Sequence, residues 1–396
     1  MGEDIDVTDN FHTPNYSRFK RVFVRGQGVY LYDEDGNRYL DFLSGIAVNV
    51  LGHADPAVTR AIGDQAKKIL HVSNLYYAPP QAELLKVLSE TLPWRGRVFF
   101  CNSGTEAVEA ALKLARKYFR DRGREEYKFL SFTGSFHGRT YGALSATAQK
   151  KYHAGFEPML PGFVHVEAGD RQTYDRALED GVCAVMFEPI QGEGGVRLFE
   201  PDFLRYVCER ANERELLLIC DEIQTGVGRT GRFYSFEHYG VIPHIITLAK
   251  GIANGLPLGA MIAREDIAVA FTPGAHGSTF GGNLVSCAAA VEVVKRVKEP
   301  GFLEKVRAKG EYLRGKLEDL SKRFPIVNEV RGRGLMQALV LSVPGKDYVS
   351  RCLELGLIVN CTEEVVLRML PPLIVENEHI DAAIDIIQKA LSGEKG

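Results

Sequence analysis

The sequence lacks the features of membrane-spanning, secreted and nucleic-acid-binding proteins. None of its 396 residues belong to an apolar run approaching the roughly 18 residues that a membrane-spanning helix needs. The first six residues, Met1–Asp6, are acidic and lack the apolar core of a secretory signal. With 48 basic and 51 acidic side chains and a formal net charge of −3, the chain shows no basic footprint for nucleic acid. We therefore expect neither a membrane nor a nucleic acid among its partners.

Cysteine is scarce and scattered. The seven cysteines are odd in number, and none forms a C-x-x-C pair. This distribution argues against a disulfide framework and against a cysteine-based metal site. We expect reduced, mostly buried thiols in a cytoplasmic protein that holds no metal.

From about residue 56, short apolar runs alternate with helical patterns. The runs include Val98–Cys101, Phe129–Phe132, Val182–Phe187, Leu216–Cys220 and Ile245–Leu248. Nearly continuous apolar strands between helices predict a mostly parallel sheet that is covered on both faces. Because 396 residues exceed one ordinary core, we predict an α/β fold with two domains. The large domain would span 56–295, and a smaller α+β domain would combine the N-terminal segment 1–55 with 296–396.

Polar segments follow the predicted strands at the ends where ligands bind in such sheets. They are Asn102–Ala107, Glu188–Glu193, Asp221–Gln224 and Lys250. A random surface would not place polar loops so regularly, so we predict that these segments form one site.

Lys250 ends an apolar strand and precedes Gly251. Desolvating an ammonium is costly, so a lysine here is often present for its amine, which can form a Schiff base. The alternative is a strand-end lysine that reaches water. Asp221 likewise ends an apolar strand, where its carboxylate needs a cation such as a protonated pyridine nitrogen. The alternative for Asp221 is a helix cap or a structural ion pair.

Ser103, Gly104 and Thr105 lie between a predicted strand and a helix N-terminus. Free N–H groups there suit a phosphate, although a plain N-cap explains them equally well. Asp221 and Lys250 are 29 residues apart, about one β-α-β step. A phosphate site, a pyridinium partner and a Schiff-base lysine together indicate pyridoxal 5′-phosphate.

The segment Gly226–Gly231 matches the dinucleotide pattern G-x-G-x-x-G. That fingerprint must directly follow a strand, open a helix and be followed about 20 residues later by an acid. Here Asp221–Thr225 intervenes, the following residues do not read as a helix, and no acid stands at that distance. We interpret these glycines as turn residues that allow positive φ.

Nine ordered motifs resemble those of the class III (ω-type) aminotransferases, which are fold type I pyridoxal-phosphate enzymes. The motifs are Ser44–Asn49, Gly52-His53, His71–Tyr77, Asn102–Ala107, Ser135–Thr140, Glu188–Gly195, Asp221–Gly226, Gly277–Asn283 and Leu367–Pro372. The resemblance covers nearly the whole chain and is strongest to the members that act on acetylornithine. It implies that the mostly parallel sheet of the large domain has seven strands.

The resemblance also implies roles around the cofactor. Lys250 would hold it and move the proton, and Asp221 would keep the ring nitrogen protonated. Gln224 would contact the phenolic oxygen. Phe136 would stack on the ring, unless it is ordinary core. The phosphate would be bound by Ser103, Gly104, Thr105 and, from the partner subunit of a homodimer with shared active sites, Thr279.

Substrate recognition follows from charge in this family. The resemblance assigns the remote α-carboxylate of an ω-amine donor to Arg139 and the α-carboxylate of glutamate to Arg368. Glu193 would pair with Arg368 when the ω-amine donor is bound. For each, a surface salt bridge is the alternative. Ser278 and Tyr16 match residues near the substrate.

The implied reaction moves the δ-amino group of N2-acetyl-L-ornithine to 2-oxoglutarate, a step of arginine biosynthesis. Ile46 stands where ornithine aminotransferases carry a tyrosine that favours a free α-amine, and an apolar residue there fits an acylated amine. Succinylornithine, N-succinyl-diaminopimelate, ornithine and 4-aminobutyrate stay open as donors. The alternatives of other kinds are an aminomutase, a nicotinamide oxidoreductase and a purely binding protein.

Overall fold

The computed structural model describes residues 3–179 and 181–393. The α-helices are α1 (Glu3–Phe11), α2 (Ser44–Ala47), α3 (Pro56–Ala66), α4 (Pro79–Ser89), α5 (Gly104–Arg120), α6 (Tyr141–Ala146), α7 (Lys150–His153), α8 (Arg171–Leu178), α9 (Pro201–Glu213), α10 (Glu265–Ala268), α11 (Leu284–Val297), α12 (Phe302–Arg323), α13 (Lys346–Glu354) and α14 (Asn377–Ser392). Two 3₁₀ helices span Ser235–Tyr239 and Lys250–Ala253.

The strands form three larger sheets and one small pair. They are β1 (Phe23–Gln27), β2 (Tyr30–Asp33), β3 (Arg38–Asp41), β4 (Gly96–Cys101), β5 (Lys128–Phe132), β6 (Phe163–Val166), β7 (Val182–Phe187), β8 (Ile190–Gln191), β9 (Arg197–Leu198), β10 (Leu217–Asp221), β11 (Ile245–Leu248), β12 (Gly259–Arg264), β13 (Val327–Arg333), β14 (Met336–Leu341), β15 (Leu357–Ile358), β16 (Asn360–Thr362) and β17 (Val366–Met369).

The central sheet has seven strands in the order β4-β12-β11-β10-β7-β5-β6. Strand β12 runs antiparallel to both of its neighbours, and the other neighbouring pairs are parallel. Every residue of β7 and β10 is buried, as expected for strands that helices cover on both faces. The predicted mostly parallel sheet and its five apolar strands are confirmed.

Helix α5 connects the sheet to the polar loops. Its sequence is rich in alanine, leucine and lysine, which favour helix, and its apolar side chains recur at helical spacing. Val108, Leu112 and Phe119 are buried, and the helix packs on β11 and β12. Because β4 ends at Cys101 and α5 begins at Gly104, the helix N-terminus lies at the carboxyl edge of the sheet.

Both chain ends meet in a second sheet. Strand β15 pairs in parallel with β3, which joins residues near position 357 to the N-terminal hairpin of β1, β2 and β3. A third sheet, β13-β14-β17-β16, carries Arg368. The predicted boundary at residue 295 falls within α11, which continues to Val297, and the division into domains stays a prediction.

No helix within residues 3–179 and 181–393 combines the length and apolar character needed to cross a bilayer.

Candidate active site

The polar loops converge on one cavity of about 430 Å³ at the carboxyl edge of the central sheet. Asn102, Glu188, Asp221 and Lys250 line it, so each of the four predicted polar segments contributes. The predicted site residues on its wall are Ser103, Gly104, Thr105, Phe136, Arg139, Asp221, Gln224 and Lys250.

Lys250 follows β11 and opens a 3₁₀ helix in which its φ is +46°. A non-glycine residue rarely adopts this left-handed conformation, and such strain concentrates at functional sites. Burial lowers the pKa of the Lys250 amine, and the nearby charge of Arg368 lowers it further, against the carboxylates of Glu193 and Asp221. A neutral amine is the nucleophilic form, so this environment favours covalent chemistry at Nζ.

Asp221 ends β10 with its carboxylate fixed by three donors. Oδ1 accepts from the hydroxyl of Thr247 and from the backbone N–H of Ile223, both at 3.1 Å. Oδ2 lies 2.7 Å from Nδ1 of His137. The side chain is only 3% exposed, so its negative charge is held in a fixed orientation at the cavity wall.

Glu188 follows β7 and provides a second buried carboxyl. Its Oε2 accepts from the backbone N–H of Phe136 at 3.0 Å. Burial raises the pKa of Glu188 to about 8; the charge of Asp221 adds to the rise, while His137 and Lys250 oppose it. Burial therefore disfavours the ionised form of this carboxyl, and the charges of His137 and Lys250 favour it.

The N-terminus of α5 supplies an anion-binding end. The Ser103 hydroxyl accepts from the N–H of Glu106 and donates to its carboxylate, so this side chain acts as the cap. The N–H groups of Gly104 and Thr105, in the first turn, have no acceptor within the helix. A Cβ on Gly138, whose φ is +138°, would lie 2.3 Å from Oγ1 of Thr105. The glycine thus allows this loop to approach the helix end, where the dipole favours an anion.

Gln224 links the cavity to an arginine–carboxylate pair. Its Oε1 accepts from Nη1 of Arg368 at 3.0 Å, and its Nε2 donates to Oε1 of Glu193 at 3.1 Å. Arg368 and Glu193 themselves pair at 2.7 Å, with the arginine side chain fully buried. Burial opposes the ionised form of Glu193, but the charges of Arg368 and Lys250 lower its pKa overall. The pair is therefore no surface salt bridge.

Arg368 also keeps donor capacity free. Its Nε donates to Asn360 and its Nη1 to the carbonyl of Gly192, whereas its Nη2 has no hydrogen-bond partner within the part of the chain that the structure describes. A buried guanidinium nitrogen without an acceptor is costly, so it indicates a place for an incoming oxygen.

Arg139 lies at the exposed edge of the cavity and Phe136 on its wall. The Arg139 guanidinium carbon is 5.4 Å from the Phe136 ring centroid. The Phe136 ring packs edge-on against Tyr152, with centroids 5.4 Å apart. Phe136 belongs to neither core cluster of the described residues, which favours a cavity role over ordinary core packing.

Five predicted residues lie outside the cavity wall. Arg368 and Glu193 reach it through their hydrogen bonds with Gln224, and the other three lie elsewhere. Thr279 is exposed on the loop before α11. Ser278 accepts from the Asn102 amide at 3.2 Å and so touches the edge of the site. Tyr16 is 64% exposed and lies against Arg18, far along the chain from the motifs. The structure does not bring Thr279 or Tyr16 to the cavity of their own chain, and their roles stay predictions.

The dinucleotide-like glycines form a turn, as expected. Gly228 and Gly231 have φ of +88° and +84°, and a Cβ on Gly231 would lie 2.3 Å from Arg307. None of the residues 226–231 lines the cavity.

Comparison with known proteins identifies the family. The profile of the aminotransferase class-III family matches residues 11–391. The chain belongs to the class III aminotransferases. It is 52% identical to the acetylornithine aminotransferase of Aquifex aeolicus, an alignment that covers 95% of this chain and 98% of the relative.

Solved structures of class III aminotransferases share the fold. The N-acetylornithine aminotransferase of Stenotrophomonas maltophilia superposes with a TM-score of 0.85 at 32% identity, covering 98% of each chain. An ornithine aminotransferase of Toxoplasma gondii, described with partial occupancy of PLP at its active site, gives a TM-score of 0.93 at 32% identity. That match covers 98% of this chain and 94% of the other.

Class III aminotransferases use pyridoxal 5′-phosphate, and this chain is an aminotransferase dependent on it. The cavity fits the group, because a buried amine, a fixed carboxylate and the N-terminus of α5 border one space. When bound, the cofactor supplies an electron sink for the reacting carbon. The residues that would hold it are Lys250, Asp221, Gly104 and Thr105.

Two titratable lining residues had no predicted role. His137 directly follows Phe136 in a motif that the sequence displayed, and Glu188 directly follows a fully buried strand. Each position was visible, but only the folded geometry shows that their side chains face Asp221 and Phe136.

Proposed function

We propose that this enzyme transfers the δ-amino group of N2-acetyl-L-ornithine to 2-oxoglutarate, giving N-acetyl-L-glutamate 5-semialdehyde and L-glutamate. The reaction belongs to arginine biosynthesis. The observation that carries the proposal is the different environment of two arginines near Lys250. The name of the Aquifex aeolicus relative, acetylornithine aminotransferase, supports the same donor.

Arg139 suits the carboxylate of a donor that reacts at its far end. It is exposed at the cavity edge and has no ion pair within the described chain. A guanidinium with free N–H groups can bind a carboxylate through two parallel hydrogen bonds. The α-carboxylate of acetylornithine would lie there, with its δ-amine directed toward Lys250.

Arg368 suits the α-carboxylate of glutamate and 2-oxoglutarate. In the structure Glu193 neutralises it, which keeps the site from attracting the α-carboxylate of the ω-amine donor. When a dicarboxylate binds, Glu193 would release Arg368, and Arg139 would bind the second carboxylate. One site would thus accept two substrates of different length by exchanging one ion pair.

Within the bound complex, each inner residue has a distinct task. Lys250 would carry the proton between the substrate carbon and the cofactor, because its pKa is lowered toward the range of a general base. Asp221 would keep a proton on the ring nitrogen. Gln224 would contact the phenolic oxygen of the cofactor. Because it also hydrogen-bonds Arg368 and Glu193, its position would change with the substrate that is bound.

Ile46 supports an acylated donor. It lies in α2, a short left-handed turn in which all four residues have positive φ and that of Ile46 is +67°. Its side chain packs against a buried apolar cluster that includes Ala47 and Met336. A β-branched residue at positive φ is strained, so the surrounding structure fixes it. An apolar surface here offers no acceptor to a free α-ammonium group, which favours the acylated amine.

We also propose a homodimer with shared sites in the cytoplasm. Large apolar side chains are exposed on two adjacent loops, namely Ile69, Leu70, Leu75, Tyr76, Tyr77 and Phe280. Asn74 bonds the carbonyls of Ser278 and Gly281 and thereby joins the two loops. A second copy would cover this surface, and Thr279 beside it would reach the partner's phosphate site. The seven unpaired cysteines support a reducing compartment.

The shared site can be tested by mixing two variants. In a dimer of one Lys250→Ala subunit and one Thr279→Asp subunit, one site would be intact and the other doubly impaired. After subunits are exchanged by mild denaturation, activity should exceed the average of the two parents. A mixture that gives only that average contradicts sharing.

The donor is tested by absorbance. The holoenzyme should lose its visible band when N2-acetyl-L-ornithine is added without a keto acid, and 2-oxoglutarate should restore it. Succinylornithine, N-succinyl-diaminopimelate, ornithine and 4-aminobutyrate form the comparison set. Retention of the band with acetylornithine, together with its loss on adding one of these amines, would transfer the assignment to that amine.

The two arginines are tested separately. Arg139→Ala should raise the KM for acetylornithine strongly and affect glutamate less, because glutamate keeps Arg368. Arg368→Ala should impair glutamate and 2-oxoglutarate most. Equal losses for both substrates in Arg139→Ala would overturn the assignment of the two arginines.

A further inference from the structure

Aromatic rings, not a carboxylate, hold Arg139. Its guanidinium carbon is 4.4 Å from the centroid of the Tyr152 ring and 5.4 Å from that of Phe136. The two rings meet at 74°, edge to face. Within residues 3–179 and 181–393, no carboxylate pairs with this guanidinium. A cation over a ring face is attracted by the ring quadrupole, so the contact holds Arg139 without neutralising it.

This environment differs from that of Arg368, whose Nη1 bonds the Glu193 carboxylate. A carboxylate beside Arg139 would compete with the substrate carboxylate for the same N–H groups. A ring attracts the guanidinium as a whole and accepts none of its in-plane hydrogen bonds. Arg139 can therefore be held in place and still offer a full set of donors.

A second cation near the same ring shows the contrast. Nζ of Lys151 is 5.0 Å from the Tyr152 centroid, but it pairs with Oε1 of Glu363 at 2.5 Å. The charge of Lys151 is thus compensated, and the charge of Arg139 is left for a ligand.

The position of Tyr152 is fixed relative to the cavity. Its backbone N–H donates to the carbonyl of Gln149 at 3.0 Å, which holds it in α7. The Gln149 side chain in turn donates to the carbonyls of Gly134 and Ser135 at 3.0 and 3.1 Å. The backbone of Tyr152 is therefore tied to the loop that carries Phe136.

We propose that Tyr152 is a positioning residue that fixes the reach of Arg139 and so sets the distance between the bound carboxylate and the reacting amine. This inference rests on the proposed function and deepens it, because it names the side chain that determines donor length. Phe136 packs against Tyr152 and lines the cavity, so Tyr152 would also help to fix the side chain that is expected to contact the cofactor ring.

The test compares Tyr152→Phe, which keeps the ring face, with Tyr152→Leu, which removes it. Binding is measured for N-acetyl-L-norvaline, which has the acetylornithine skeleton without the reactive amine, together with the KM and kcat for acetylornithine. We expect the Kd for N-acetyl-L-norvaline and the KM for acetylornithine to stay within about twofold of the wild type in Tyr152→Phe. In Tyr152→Leu both should rise about fivefold. The KM for 2-oxoglutarate and the visible absorbance of the holoenzyme should change less, because Arg368 and Lys250 are untouched.

A double-mutant cycle distinguishes positioning from a general structural effect. In an Arg139→Ala background, Tyr152→Leu should have no further effect on the binding of N-acetyl-L-norvaline, because the arginine that Tyr152 positions is gone. Additive losses, or equal losses in Tyr152→Phe and Tyr152→Leu, would overturn the proposal. If Tyr152→Leu does not fold, Tyr152→Met replaces it in the cycle.

The outcomes also separate this inference from the proposed function. If Arg139→Ala loses binding of N-acetyl-L-norvaline while Tyr152→Leu does not, only the role of Tyr152 fails. If the wild-type enzyme neither binds N-acetyl-L-norvaline nor reacts with acetylornithine, the proposed donor fails, and with it the inference built on that donor.

Discussion

Nδ1 of His137 lies 2.7 Å from Oδ2 of Asp221, and both side chains are almost completely buried. Burial opposes a charged imidazole, but the hydrogen bond and charge of Asp221, with the charge of Glu188, raise the pKa of His137 overall. The Asp221 carboxylate therefore favours the protonated form of His137, and the hydrogen bond from His137 fixes the carboxylate at the cavity wall.

We predict that His137→Leu lowers kcat by about 5- to 150-fold, because it leaves a buried carboxylate oxygen without its donor at a cost of about 1–3 kcal/mol. His137→Asn should lose much less, since its amide nitrogen is attached at the same position as Nδ1. Single-turnover kinetics with acetylornithine measures the effect. Equal losses in the two variants would show that the hydrogen bond is not the cause.

Glu193→Gln tests the ion pair with Arg368. The amide keeps the shape but removes the charge, so the buried arginine is left uncompensated and attracts the donor's α-carboxylate. We expect kcat/KM for acetylornithine to fall about tenfold while that for glutamate is retained. The two half-reactions are measured separately by the change in absorbance.

The control for this prediction is Glu265→Gln, which removes a surface pair with Arg97 and should change neither half-reaction. A parallel decrease for glutamate in Glu193→Gln would argue that Glu193 supports the site as a whole and does not discriminate between substrates.

Gly138→Ala tests the anion-binding end of the cavity. The added methyl would lie 2.3 Å from Oγ1 of Thr105 and 2.9 Å from Cβ of Ala143, at a φ of +138° that alanine rarely adopts. Strain of about 1–3 kcal/mol should weaken binding of pyridoxal phosphate to the apoenzyme about 5- to 150-fold. Titration of the apoenzyme with the cofactor measures this.

Gly123→Ala is the matched control, because Gly123 also has a positive φ, +69°, but nothing lies within 4 Å of the added Cβ. It should reduce stability without changing cofactor affinity. Similar affinity losses in both variants would mean that backbone strain alone, and not the approach to Thr105, determines binding.

The sequence predicts most of the fold because its strands are locally distinct. Val182–Phe187 is apolar throughout and forms β7 with the same bounds. Strand β12 was not predicted: its apolar run of four residues is short, and its antiparallel direction depends on partners distant in the chain. Local pattern specifies the existence of a strand better than its neighbours.

Within the site, the sequence predicted the residues and the pairing of Glu193 with Arg368, but not the other hydrogen-bond partners. Lys250 and Asp221 stand out because each ends an apolar strand. The hydrogen bonds of Gln224 with both Arg368 and Glu193 depend on where the sheet that carries Arg368 packs against the central sheet. Tyr152 follows Arg139 by 13 residues, with no periodic relation to it.

Glu222 makes stability depend on pH independently of the reaction. It is 1% exposed, and burial raises its pKa to about 7 although the Thr225 hydroxyl and the N–H of Phe236 lower it. Above pH 4.5, the ordinary pKa of a glutamate, Glu222 releases its proton in the unfolded state but retains it in the folded state. The unfolded state then binds fewer protons, so stability falls by about 1.4 kcal/mol per pH unit until pH passes about 7.

Glu222→Gln should remove this slope. Its thermal midpoint, measured in the apoenzyme at fixed protein concentration, should rise relative to the wild type between pH 5 and pH 7. Glu209→Gln, at an exposed position of α9, should keep a constant difference from the wild type over the same range. A constant difference for Glu222→Gln as well would mean that the folded carboxyl ionises near its ordinary pKa, with the buried hydrogen bonds of Thr225 and Phe236 offsetting the cost of desolvation.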